Sequence, residues 1–197
     1  MRSEHPEFIG MTDEDLIEYI KAYDQHIGFG FTVSSQPLII GGCFILFVGW
    51  LFFNAGSSWS VTQNKIVNVP QLAVINTILA ASGGALLAPI LGLLSNTFGK
   101  RGMKYELTTL VGAILSGCVS VTAGCNNLET EHALLIGVIG GIIYYLSVML
   151  FDKLRIDDPL QVSQIHGCCG FWGLISVGIF DKSHGLIFTG DFRQLAV

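Results

Sequence analysis

The stretch that decides the fold covers residues 157–173, which read DDPLQVSQIHGCCGFWG and lead into an apolar run ending at Phe180. Asp158 is a good helix N-cap, because a carboxylate can accept the unpaired N–H groups of the first turn, and Pro159 suits the first helical position. A helix that begins there carries His166 roughly 12 Å along its axis. That distance places the imidazole near the middle of a hydrocarbon core about 30 Å thick.

His166 allows two interpretations. An ionisable side chain at that depth is costly and marks a functional site by default. The alternative is an ordinary core histidine bonded to a backbone carbonyl. The apolar surroundings favour the functional interpretation, and the sequence alone leaves both open.

The composition is that of a membrane protein. Of the 197 residues, 51% are hydrophobic and 13% are charged, whereas soluble domains carry about 25% charged residues. The first 27 residues hold seven acids against Arg2 and Lys21, so they account for the whole net charge of −5. No basic patch indicates nucleic acid as a partner. The five cysteines lack metal-ligand spacing, and no nucleophile–base pair is visible. We therefore expect no metal, no cofactor and no enzyme activity.

Five apolar runs are each about long enough to cross a bilayer. We therefore predict an all-α integral membrane protein with three regions. A polar acidic tail covers residues 1–36, a five-span transmembrane domain covers 37–180, and an external C-terminal remnant covers 181–197. The expected spans are about 37–58, 74–94, 107–125, 132–151 and 160–180. Close helix packing is expected at small residues, chiefly Gly83, Gly84, Gly137 and Gly141.

The distribution of lysine and arginine predicts the orientation in the membrane. The tail and the two loops on its side carry seven of these residues, and the opposite side carries three. Because basic residues concentrate on the cytoplasmic side, we expect a cytoplasmic N-terminus. Within the tail, Thr12 and Asp15 have the spacing of a capping box, which predicts one short helix outside the bilayer.

A second group of polar and aromatic residues lies in the first apolar run. Trp50, Phe53 and Ser57 share one helix face, at the spacing i, i+3 and i+7, with Asn54 beside them. Aromatic π-faces and a hydroxyl acceptor suit a small cation. Aromatic residues near a span end also serve as packing or interfacial anchors, so both interpretations remain open.

Four motifs occur in order, each in its own apolar run. They are GWLFFNAGS at 49–57, NTILAASGGA at 76–85, GCVSVTAGC at 117–125 and the stretch at 157–173. Together they resemble the ammonium transporter family (Amt/Mep/Rh), and its plant-type branch most of all. The resemblance covers roughly residues 37–197 and excludes the tail.

The resemblance implies a role for each matching residue. Trp50 and Ser57 would help to form an external recruitment site for ammonium. Phe53 would be one of two stacked gate phenylalanines, and His166 one of two paired pore histidines. Val162 would line the pore one turn toward the cytoplasm.

The resemblance also implies structural roles for Asp158, Asn54, Gly167 and Gly170. Gln161 departs from the pattern, because many members of the family carry an acidic residue at the corresponding position. A charge role at this position is therefore not expected in this chain.

The resemblance further implies an eleven-span trimer of the plasma membrane, in which each subunit forms a pore between two inverted five-helix repeats. The five runs correspond to the second repeat, so the chain matches the C-terminal half of the family fold. The first pore histidine, the other gate phenylalanine and the eleventh span have no counterpart here.

The expected function is channel-like transport of ammonium or ammonia, in which ammonium loses a proton and a histidine assists conduction. The expected partners are the substrate, the lipid bilayer and further transporter subunits in a homo- or hetero-trimer. The alternative is a non-conducting membrane protein that binds full-length transporter subunits and modulates them.

Overall fold

The computed structural model describes residues 11–19, 35–58, 69–97 and 107–191, with the backbone alone described at 91–97. The chain divides into two compact units, Met1–Ser35 and Gln36–Val197. Most of the basic residues that predict the orientation lie outside the described residues, namely Arg2, Lys21, Lys65, Lys100, Arg101, Lys104 and Arg193.

The first unit contains a helix, α1, over residues 13–19. Thr12 and Asp15 form the expected capping box: the Asp15 N–H donates to Thr12 Oγ1 at 3.1 Å, and the Thr12 N–H donates back to Asp15 Oδ2 at 3.1 Å. The Thr12 hydroxyl also donates to Asp15 Oδ2, at 2.7 Å. This hydroxyl bond and the backbone bond lower the pKa of the Asp15 carboxyl, because they favour its charged form.

The described residues of the second unit form helices joined by turns. Its elements, in chain order, are α2 (Gln36–Ser57), α3 (Val69–Thr97), α4 (Leu107–Thr122), α5 (Thr130–Leu154), a π-helical turn (Ser163–Cys168), α6 (Cys169–Phe180) and α7 (Leu186–Thr189).

Three of the described helices are long and apolar enough to cross a membrane: Gln36–Ser57, Val69–Ile90 and Thr130–Leu154. The apolar helix α4 has 16 residues, which gives it a length of about 24 Å. The π-helical turn and α6 together cover residues 163–180. The helical, membrane-type character agrees with the sequence, and the count of five spans stays a prediction.

Glycines allow the helix backbones to approach closely. A Cβ added at Gly137 of α5 would lie 2.0 Å from the Ala80 carbonyl oxygen of α3, and one at Gly117 of α4 would lie 2.2 Å from the same oxygen. A Cβ at Gly84 of α3 would lie 2.2 Å from the carbonyl oxygen of Ala113. The backbone of α3 is therefore in direct contact with α4 and α5, which is the packing expected of small residues in membrane helices.

The buried apolar side chains form two clusters at different levels of the bundle. One joins the C-terminal ends of α4 and α6 to the N-terminal ends of α3 and α5, and it consists of Ala73, Ala80, Val121, Cys125, Leu128, Ala133, Ile136 and Phe180. The other lies toward the opposite ends of these helices and consists of Ala88, Ala113, Leu115, Val119, Tyr144, Val148, Ile165 and Cys169. The second cluster supports the π-helical turn.

Candidate functional site

His166 lies within the π-helical turn rather than in a regular α-helix. The N–H of Cys169 donates to the carbonyl oxygen of Gln164, five residues earlier, which is the wide turn of a π-helix. Such turns often occur at functional sites. Gln164 and Ile165 are 3% and 5% exposed, whereas His166 is exposed. The described residues therefore do not enclose His166.

Trp50 of α2 lies against His166. The two rings are stacked, with centroids 6.0 Å apart and an interplanar angle of 21°. The indole Nε1–H of Trp50 donates to Thr122 Oγ1 of α4 at 2.8 Å, and the Thr122 hydroxyl donates to the Cys118 carbonyl oxygen at 2.7 Å. The indole therefore brings α2, α4 and the π-helical turn together at one point.

Phe53 and Ser57 lie farther along the same helix. The Phe53 side chain is 60% exposed. Ser57 is also exposed, and its hydroxyl donates to the Phe53 carbonyl oxygen at 2.7 Å. Ser57 is seven residues from Trp50, which corresponds to about 10 Å along the axis. The structure thus places Trp50 beside His166, and a joint recruitment site of Trp50 with Ser57 stays a prediction.

Asn54 has a different environment from its aromatic neighbours, since it is 2% exposed. Its Nδ2 donates to Thr77 Oγ1 of α3 at 2.8 Å, and the Thr77 hydroxyl donates to the Ala73 carbonyl oxygen at 2.6 Å. Within the described residues, Asn54 Oδ1 is buried without a hydrogen-bond partner. Asn54 therefore ties α2 to α3.

Asp158 accepts the first N–H groups of the helix that carries His166. Its carboxylate accepts the N–H of Val162 at 3.1 Å and the N–H of Ser163 at 2.8 Å. Burial acts to raise the pKa of this carboxyl, but the hydrogen bonds from Ser163, Val162 and Gln161 outweigh it and leave the pKa below its ordinary value.

The helix begins three residues later than the sequence predicts. Pro159 lies in a turn that the Gln161 N–H closes by donating to the Asp158 carbonyl oxygen at 3.0 Å. Gln161 then adopts a left-handed backbone conformation, with φ of 54°. A residue in that conformation cannot continue a right-handed helix, so Pro159 does not occupy the first helical position. Proline is well suited to the second position of a turn.

Two side chains near this turn make contacts that the sequence gives no signal for. The Tyr144 hydroxyl of α5 donates to Gln161 Oε1. With its amide oriented to satisfy its neighbours, Gln164 donates from Nε2 to Asp158 Oδ2 at 2.7 Å and to the Gln161 carbonyl oxygen at 3.2 Å. Tyr144, like Thr122, is distant in sequence from its partner, so no local pattern identifies it.

The remaining predicted site residues lie on or beside the same segment. Val162 is 49% exposed and precedes His166 by four residues. A Cβ added at Gly170 would be in ordinary contact with Val119 of α4, at 3.7 Å. A Cβ at Gly167 would meet no atom within 4 Å. Neither glycine is required here by a close backbone approach. In the described parts of the chain, no cluster of three or more His, Cys, Asp or Glu side chains could hold a metal ion.

Comparison with known proteins identifies relatives of this chain. The sequence profile of the Ammonium Transporter Family matches residues 23–197. A putative ammonium transporter of the cyanobacterium Synechocystis is 42% identical over 151 residues, which cover 77% of this chain and 33% of the relative. Ammonium transporter 1 member 1 of the plant Solanum lycopersicum is 31% identical over 177 residues, which cover 82% of this chain and 36% of the relative. The match is therefore to the family at large rather than to the plant-type branch alone.

The fold has a counterpart among solved structures. The crystal structure of Saccharomyces cerevisiae Mep2 superposes with a TM-score of 0.69 and 27% sequence identity, covering 82% of this chain and 36% of that protein. The chain spans about a third of the length of the relatives it matches. Because the family profile covers the whole of the second unit and most of the chain, the chain belongs to the ammonium transporter family.

Proposed function

We propose that this chain forms one wall of an ammonium-conducting pore, with His166 at its centre. The observation that carries the proposal is the stack of Trp50 on an exposed His166, in a chain of the ammonium transporter family. An ionisable ring at this depth of a membrane helix requires a polar or water-filled lumen beside it. The face with Trp50, Phe53 and His166 is the face that such a lumen would border.

The proposed mechanism separates the proton from the ammonia. Ammonium is attracted to the aromatic faces of the pore and to the Ser57 hydroxyl, and Phe53 restricts entry to the lumen. Moving a bare cation into an apolar lumen costs far more than moving a neutral molecule. Loss of a proton lowers this barrier, and the His166 imidazole accepts or relays the proton and hydrogen-bonds the ammonia. Val162 lines the path one turn away. A potassium ion has no proton to lose and is rejected.

The architecture that we propose follows the family. The helices α2 to α6 form five spans, equivalent to one of two inverted repeats, with a cytoplasmic N-terminus in the plasma membrane and assembly as a trimer. A second set of helices would cover the exposed Phe53 and His166. It would come from another part of a longer protein or from another subunit.

A second candidate function is modulation without conduction. Asn54 is the buried residue of α2, and the rest of this helix is exposed to varying degrees. Such a helix would bind a full-length transporter subunit as readily as it would line its own pore. Co-purification of the chain with a full-length subunit, without transport by the chain itself, would favour this function.

Reconstitution of the chain in liposomes, together with the helices that complete the pore, tests the proposal. We expect transport of ammonium down its concentration gradient. We expect His166→Ala to reduce this transport or alter its selectivity, while insertion into the membrane is unchanged. His184→Ala is the matched control, because His184 lies in an exposed turn beyond α6 and should leave transport unchanged. Transport with unchanged rate and selectivity in His166→Ala would exclude the role proposed for this residue.

A further inference from the structure

We propose that Tyr144 and Gln161 are positioning residues that hold the π-helical turn in register, so that His166 stays against Trp50. The inference concerns the geometry of the site, and its consequence for transport rests on the proposed function. It starts from one contact, in which the Tyr144 hydroxyl of α5 donates to Gln161 Oε1 directly before the π-helical turn.

Tyr144 has little freedom to move. Its side chain is 1% exposed and belongs to the apolar cluster that supports the π-helical turn. A Cβ added at Gly112 of α4 would lie 2.1 Å from the Tyr144 hydroxyl oxygen, so the phenol passes over a position where only glycine leaves room. A ring held on all sides fixes its hydroxyl in space, which makes it a rigid anchor for a hydrogen bond.

Gln161 is the residue through which this anchor reaches the backbone. It has a φ of 54°, which is uncommon for a residue with a side chain. Its carbonyl oxygen accepts the N–H of Ile165 at 3.0 Å and Nε2 of Gln164 at 3.2 Å. Fixing the Gln161 side chain therefore also fixes the carbonyl that receives the first hydrogen bonds of the helix.

The π-helical turn is attached to α5 on both sides. Gln161 bonds to Tyr144 before the turn, and the Cys169 thiol donates to the Gly140 carbonyl oxygen at 3.5 Å after it. Asp158 accepts N–H groups of the same turn, but the carboxylate bonds within its own segment. The Tyr144–Gln161 bond thus sets where the turn begins relative to the rest of the bundle.

Register decides where the imidazole points. A π-helical turn contains one residue more than the α-helix that would replace it. Since each residue of an α-helix rotates the chain by about 100°, relaxation of the turn would swing His166 away from the indole of Trp50. The amide of Gln161 supplies the acceptor for Tyr144 without a charge, at the position where the sequence departs from the family pattern.

Nuclear magnetic resonance of the full chain in lipid nanodiscs tests this inference. In a stacked arrangement the indole ring current shifts the His166 ring protons upfield, and Trp50→Leu gives the position of these signals without the stack. His166→Gln assigns them among the five histidines. We expect Tyr144→Phe, which removes one oxygen atom and keeps the ring, to move the His166 signals most of the way to the Trp50→Leu position.

Three variants complete the experiment. Gln161→Leu should act like Tyr144→Phe, whereas Gln161→Glu keeps an acceptor and should show the wild-type signals. Tyr145→Phe, at the adjacent half-buried tyrosine, is the matched control and should change nothing. Wild-type His166 signals in Tyr144→Phe and in Gln161→Leu would overturn the inference. Where Tyr144→Phe loses helix content, the Gln161 variants decide.

Transport separates this inference from the proposed function. A chain that shows the expected signal changes but does not conduct ammonium with the completing helices present supports the positioning role and contradicts the proposed function. If the chain conducts and its His166 signals stay unchanged in Tyr144→Phe and Gln161→Leu, the positioning role alone is contradicted. In a conducting chain, we expect Tyr144→Phe and Gln161→Leu to lower the maximal transport rate and Gln161→Glu to leave it near the wild-type value.

Discussion

The indole of Trp50 stacks on the imidazole of His166 at a centroid distance of 6.0 Å, while its N–H points elsewhere, to the Thr122 hydroxyl. The hydrogen bond to α4 sets the rotation of the indole about its own axis. The π-face, and not the N–H edge, is thereby presented to His166. Within the described residues, the indole thus covers one face of an imidazole that is otherwise exposed.

The first prediction concerns Thr122. Thr122→Val removes the acceptor of the Trp50 indole and leaves a part-buried donor unpaired, which should lower the free energy of unfolding by about 1 kcal/mol. The indole N–H resonance of Trp50 should shift. Trp172 is an internal control, since its indole donates to the Ile136 carbonyl oxygen and should keep its resonance. An unshifted Trp50 signal would contradict the assigned bond.

The second prediction concerns the link between α2 and α3. Asn54→Ala and Thr77→Val should each destabilise the chain, because each removes the buried hydrogen bond between α2 and α3. Thr77→Val also leaves Asn54 Nδ2 buried without a partner, whereas Asn54→Ala leaves the Thr77 hydroxyl its bond to the Ala73 carbonyl oxygen. In a double-mutant cycle the coupling should be about 0.6 kcal/mol or more, as for interhelical hydrogen bonds in membrane proteins. Denaturation in mixed detergent micelles gives the free energies. The cycle of Ser57→Ala with Thr77→Val should be additive, and equal coupling in both cycles would contradict the assignment.

The sequence supports some features of this chain much more firmly than others. The capping box at Thr12 and Asp15 and the apolar helices depend on residues close together in the chain, so local patterns predict them. The stack of Trp50 on His166 and the Tyr144–Gln161 bond depend on how separate helices meet. Local patterns carry no information on contacts between separate helices, so only the structure reveals these two contacts.

The start of the helix that carries His166 shows the same limit. Aspartate followed by proline is a good local signal for a helix N-terminus, and it predicts a start at Pro159. The left-handed backbone of Gln161 delays the start to residue 162, and a contact from the distant Tyr144 accompanies that conformation. A local signal thus fails at a point where a tertiary contact is present, close to His166.

The third prediction concerns the crossing of α3 and α5. Gly137→Ala would place a methyl group 2.0 Å from the Ala80 carbonyl oxygen, so the two backbones must separate. Overpacking of this kind costs about 1–3 kcal/mol. Gly41→Ala is the matched control in α2, because no atom lies within 4 Å of its added Cβ. The control should be neutral or slightly stabilising, since alanine favours a helix over glycine. Equal thermal stability of both variants would contradict the packing described.

The fourth prediction concerns pH and Asp158. Asp158→Asn keeps the shape of the side chain but removes its charge and one of its two acceptors, and at neutral pH the lost hydrogen bond should destabilise the chain by about 1 kcal/mol. The hydrogen bonds keep the folded-state pKa of Asp158 below its value of about 3.9 in the unfolded chain. The stabilisation is therefore fully present above that unfolded-state value, and it is lost as the pH falls through the folded-state pKa.

The difference in unfolding midpoint between wild type and Asp158→Asn should accordingly be constant near neutral pH and shrink toward zero in strong acid. Measuring the difference, rather than wild type alone, removes the contribution of the other carboxyl groups that titrate in the same range. Asp157→Asn, at the adjacent exposed aspartate, should leave the midpoint near that of wild type. A gap that widened on acidification would mean that the protonated carboxyl, and not the carboxylate, stabilises the start of the helix that carries His166.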